Sequence, residues 1–92
     1  MDKPNRKVFF DVDYMGHSIK VLNKWNECSL IIDGVVMDAY KSVVALNFVL
    51  KGVVIIEGED IEIAFGLKNG FPRAKLSLTA NGQLIAMGKI FM

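Results

Sequence analysis

The sequence predicts an all-β domain, an antiparallel meander of about eight strands folded into a two-sheet sandwich, and three observations carry that reading. Apolar residues recur at every second position over most of the chain, the period of a strand whose faces alternate between core and solvent. Glycine-containing turn dipeptides such as Asp33-Gly34 and Asn81-Gly82 separate these runs at short intervals. No segment keeps the spacing of an amphipathic helix. Short turns without helices leave a sandwich or a closed small barrel, and the sandwich is the expected form.

The elements follow in order. Val8-Phe9-Phe10-Asp11-Val12 is a first strand with Val8, Phe10 and Val12 on one face, and Tyr14-Met15-Gly16-His17 turns it into a second, Ile19 to Lys24. Trp25-Asn26-Glu27 leads into Ser29-Leu30-Ile31-Ile32. Asp33-Gly34 then suits a two-residue type I′ turn, whose central positions both need positive φ, and Val35 to Tyr40 returns. The segment Tyr40 to Ala45 reads as a loop or a single helical turn. Val53-Val54-Ile55-Ile56 and Ile61-Glu62-Ile63-Ala64-Phe65 flank the charged turn Glu57-Gly58-Glu59-Asp60, a further hairpin. Gly52 is the expected bend or bulge where a strand leaves one sheet for the other. Ala74 to Ala80 alternates, with Leu76, Leu78 and Ala80 inward and Lys75, Ser77 and Thr79 outward; Asn81-Gly82 turns it into the last strand, Leu84 to Phe91. Placing Ser18-Ile19-Lys20-Val21 on Asp60-Ile61-Glu62-Ile63 makes the halves a degenerate repeat.

Composition narrows the function. Residues 1–92 suffice for one domain, with 1–6 expected to be flexible. Apolar residues make up 52% of the chain, and a domain this small leaves part of that on its surface. A net charge of +1 gives no field to gather phosphates, so nucleic acid is not expected as a partner. The apolar stretch Val43 to Ile56 is shorter than the roughly 20 residues of a membrane span. A single cysteine, Cys28, and a polar start without a secretory core point to the cytoplasm.

These residues, laid out so, resemble the Fas apoptotic inhibitory molecule family. The likeness lies in His17-x-Ile19-x-Val21, a tryptophan-containing turn region, Leu30-Ile31-Ile32-Asp33-Gly34, Leu50-Lys51-Gly52, Ile61-x-Ile63 and Leu76-Ser77-Leu78-Thr79-Ala80-Asn81-Gly82, within residues 8–90. The pattern equally resembles that of small uncharacterised bacterial proteins with the same order of strands and turns. The resemblance implies a sandwich of two antiparallel four-stranded sheets and a non-enzymatic role in contacting other proteins. Members of that family usually carry two such domains, and this sequence holds one.

Residues able to carry chemistry are few. His17 and Cys28 form a dyad only if the second and third strands bring them together, and nothing supplies an orienter or an oxyanion donor. Asp11 with Asp13, and Glu57, Glu59, Asp60 and Glu62, match no cation loop and read as solvated hairpin charge. No spacing fits zinc or a phosphate cradle, so no cofactor or metal is expected and the chain reads as no enzyme. The favoured function is a protein-interaction or self-association module, with a protein partner or a homodimer; the alternatives are a small apolar ligand between the sheets and, ranked below it, an enzyme dependent on Cys28. Candidate contact residues are Trp25, the loop-tip residues Phe71 and Arg73, and Phe48, Val49 and Val54 in the apolar stretch, where an edge strand would pair with a partner.

Overall fold

A computed structural model describes residues 6–24, 27–41, 47–68, 70 and 73–91. It contains eight strands in two antiparallel sheets, and no helix among the described residues. Sheet A is β1 (Arg6–Tyr14), β2 (His17–Lys24), β3 (Glu27–Ile32) and β4 (Val35–Lys41); sheet B is β5 (Asn47–Ile56), β6 (Glu59–Lys68), β7 (Arg73–Ala80) and β8 (Gln83–Phe91). Each sheet runs in sequence order, so every strand pairs with its chain neighbour and the barrel alternative is ruled out. Tyr40 and Lys41 extend β4, while the rest of the expected loop at 42–46 lies outside the described residues. Arg6 already belongs to β1, opposite Lys24, and residues 1–5 of the expected flexible start lie outside.

Four two-residue turns fix the register. Met15-Gly16, Asp33-Gly34, Glu57-Gly58 and Asn81-Gly82 each place a left-handed non-glycine residue (φ 49° to 52°) before a glycine at φ 82° to 88°. Two positive φ angles define the type I′ turn, whose twist matches that of the flanking strands. Because each turn sets which residues of its hairpin exchange hydrogen bonds, it also sets which side chains face inward.

Inner faces meet in one core: Ile19 and Val21 of β2, Leu30 and Ile32 of β3, Leu50 and Val54 of β5, Ile63 and Phe65 of β6, and Leu76 and Leu78 of β7 are buried. Phe65 is its centre. Phe10 meets it edge-on at 5.9 Å, while Phe9 and Phe48 lie 6.1 Å away. Two consecutive phenylalanines reach the core because β1 carries a bulge, Val8 pairing with Leu22 and Phe10 with Val21, so Phe9 is the extra residue.

The two halves repeat one plan. Asp33 N–H donates to the Ser18 carbonyl at 2.8 Å, and Ser18 N–H returns a bond to Asp33 Oδ1 at 2.9 Å. Asn81 and Glu62 make the same pair of bonds at 2.7 and 2.8 Å. Three residues past the glycine of each turn lies a bulge, Met37 in β4 and Ile85 in β8. These tethers equate Ser18 with Glu62, so the expected superposition on Asp60 slips by two residues, the extra length of β6 over β2.

Gly52 is neither bend nor bulge. β5 passes through it in unbroken register with β6, and the chain changes sheets before β5 begins. The residue is small because β4 crosses close by: a Cβ on Gly52 would stand 2.9 Å from Met37 Cβ and 3.0 Å from Ile32 Cδ1.

Candidate interaction surface

The sheet edges decide where a partner could add. β1, β4, β5 and β8 are the edge strands, and all but β5 carry a bulge, which twists an edge away from pairing. β5 is smooth and ten residues long. Since Ile56 and Glu59 flank a two-residue turn, the even-numbered residues of β5 bond to β6 and the odd-numbered ones turn their N–H and C=O groups outward. One of these is occupied, because Lys51 N–H donates to Asp38 Oδ2 of β4 at 3.0 Å. Asp38 Oδ1 also accepts from Ala39 N–H at 2.9 Å, which holds the carboxylate in place. Within the described part of the apolar stretch, β4 therefore covers the edge of β5 at Lys51, and Val49, Val53 and Ile55 keep outward backbone groups on either side of it.

The same parity corrects Val54. It points inward and is 4% exposed, a core residue that offers nothing to a partner. Val49, Val53 and Ile55 stand instead on the outer face at 56%, 49% and 64%. Phe48 is half-buried, its ring stacked on Tyr40 of β4 with centroids 4.5 Å apart, so it ties the sheets together at their shared corner. Arg73 opens β7 opposite Phe91 and is a strand residue, not a loop tip. Trp25 and Phe71 lie outside the described residues.

Exposed apolar side chains gather on the edge strands and not at random. Val35, Val36, Met37 and Tyr40 lie on β4, Val49, Val53 and Ile55 on β5, and Leu84 and Met87 on β8. On the outer face of sheet B the register sets Val49 beside Gly66, Ser77 and Met87 in one row, and Lys51 beside Ala64, Thr79 and Leu84 in the next. Large residues on the outer strands and small ones between them shape a trough of about 580 Å³. Gly66 keeps the floor low, since a Cβ there would meet Ser77 Oγ at 3.2 Å.

His17 and Cys28 are not brought together. In the pairing of β2 with β3, Ile19 faces Ile32 and Asn23 faces Cys28, which puts the two residues about 20 Å apart along the ladder at roughly 3.3 Å per residue. Burial pushes the Cys28 thiol up to about 12, the protonated form of a small core residue. His17 Nδ1 lies 2.7 Å from Asp33 Oδ2. That bond, then the Ser18 N–H bond, hold the Asp33 carboxyl below the usual carboxylate range. Asp11 faces Lys20 across the ladder and Asp13 faces Ser18. Among the described residues no three histidine, cysteine or carboxylate side chains converge on a common point, and no helix is long and apolar enough to cross a membrane.

No family model, no curated protein and no solved structure matches this chain.

Proposed function

We propose that the chain is a non-enzymatic interaction module that associates, with another protein or with itself, through the outer face of sheet B and the apolar corner where β4 meets β5. One observation carries the reading: after the inner faces are buried, nine of the eleven large apolar residues left in solvent among the described residues lie on β4, β5 and β8, the other two being Val8 of β1 and Met15 of the first turn. Scattered single residues would need no explanation, whereas a contiguous apolar surface on a small domain marks an interaction site. The resemblance to the Fas apoptotic inhibitory molecule family supports a role in contacting proteins, and its implied pair of four-stranded sheets agrees with the fold. A reduced, buried Cys28 suits the cytoplasm.

A second reading has its own support. The trough on sheet B has a volume within the roughly 300 to 1,000 Å³ of small-molecule sites, so a small apolar ligand could occupy it.

Val49→Lys and Val54→Lys separate surface from core. Val49→Lys is expected to keep the melting temperature within a few degrees, changing stability by about 0.5 kcal/mol or less, and to lower the sedimenting mass or partner capture. Val54→Lys places a charge in the core and is expected to unfold the domain. A Val49→Lys protein that associates as the wild type does contradicts the proposed surface.

A further inference from the structure

The trough on sheet B has a charged end. Lys68 of β6 stands opposite Lys75 of β7, and Lys89 takes the next register position on β8. Lys68 and Lys75 are both exposed, and directly opposed residues on one face of a sheet have their Cβ atoms about 5 Å apart. Like charges placed so cost the sheet stability. Among the described residues no carboxylate lies within ion-pair reach of either lysine. The trough begins at this pair. Next along the strands Gly66 and Ser77 form its floor between Val49 and Met87, and Leu84 lies one row further. From the lysine row to the Leu84 row is four residues of β6, or about 13 Å at roughly 3.3 Å per residue.

Resting on the second reading above, in which the trough takes a small apolar ligand, we propose that this ligand is a free amphiphilic anion, an alkyl or aryl carboxylate of medium size. Its carboxylate lies between Lys68 and Lys75 with one oxygen toward each ammonium, and its apolar body runs over Gly66 and Ser77 toward Leu84. Three features select this chemistry. A single negative charge set between the two ammonium groups relieves a repulsion that the described part of the chain leaves uncompensated. The walls are valine, methionine and leucine, which gain from covering hydrocarbon. The volume, about 580 Å³, suits a small molecule and is too small for a folded partner. A membrane fits this face less well. Glu62 and Asp60 stand on the same outer face beyond the trough, where an anionic lipid surface would meet them, and a net charge of +1 gives no field to hold it.

The test is a titration of the full chain, at fixed protein concentration, with octanoate and with octanamide, its uncharged counterpart, followed by methyl NMR. The signals of Val49, Leu84 and Met87 are expected to shift saturably with octanoate, and octanamide is expected to bind about 3- to 10-fold more weakly, the range for two exposed ion pairs. Replacing both lysines, Lys68→Gln with Lys75→Gln, should remove the preference so that the two compounds bind alike. Its melting temperature should be no lower than that of the wild type, because a repulsion is lost. Ser77→Phe fills the floor with a side chain that suits a strand and should abolish the binding of both compounds. Equal saturable binding of octanoate and octanamide by the wild type overturns the anionic head while leaving the apolar-ligand reading standing. A preference that survives in the double variant, or octanoate binding by a folded Ser77→Phe protein, overturns the assigned position. No saturable shift with either compound overturns the proposal and that reading together. Capture of the chain by phosphatidylglycerol vesicles, with no response to octanoate, overturns it in favour of a lipid surface.

Discussion

Asp33 shows how much one side chain settles. Its two carboxylate oxygens serve Ser18 N–H and His17 Nδ1, so the turn between β3 and β4 is tied to the start of β2. The sequence marks Asp33-Gly34 as a turn and His17 as a solitary imidazole, but the bond between them depends on a pairing of β2 with β3 that no local pattern specifies. Asn81 makes the equivalent tie to Glu62 without a charge. Because the folded state holds Asp33 below its ordinary carboxylate value, the stability from this bond is present above that value and is lost as the pH falls through the lowered one. Asp33→Asn keeps the acceptor for Ser18 and removes the titration. Melting curves from pH 7 to below about 3 should show the wild type ahead near neutrality and its advantage over Asp33→Asn shrinking with acid. Parallel curves for the two proteins would contradict the assignment.

Strands and turns were legible wherever polar and apolar residues alternate, as in β7, where Leu76, Leu78 and Ala80 are buried as expected. Legibility failed in β5. Val53 to Ile56 is apolar on every residue, so composition cannot say which of its side chains face inward; the Glu57-Gly58 turn decides it by setting Ile56 and Val54 toward the core. Bulges hide the other feature, the lysine row. Without the extra residue Ile85 in β8, the Asn81-Gly82 turn would put Lys75 opposite Gly88, and only the bulge moves it to Lys89. The closeness of β4 to β5 was also invisible, since Gly52 read as a bend and not as the seat of Met37. Gly52→Ala therefore tests the contact between these strands. Met37 Cβ is fixed in place by the β4 backbone and cannot swing aside as a side-chain end could, so the added methyl should cost about 1 to 3 kcal/mol of stability and lower the urea midpoint accordingly. An unchanged midpoint would mean that β4 sits farther away than described.

At the scale of the whole molecule, the domain is a slab of 39 × 32 × 18 Å, only two sheets thick. So thin a body can bury one face of each sheet and must leave the other in solvent, which is why a half-apolar chain ends with exposed valines, isoleucine and methionines. Three of its four edges are bulged and the fourth is capped at Lys51, so a partner is better met by a face than by an added strand. Methyl NMR spectra recorded on serial dilution test this most directly. The account expects the methyl signals of Val49, Val53, Leu84 and Met87 to shift together with concentration, while Val8, Leu22 and Ile31 on sheet A hold still. Signals from Val8, Leu22 and Ile31 moving as far as those from the outer face of sheet B, or no shifts in a chain that is shown to self-associate, would contradict it.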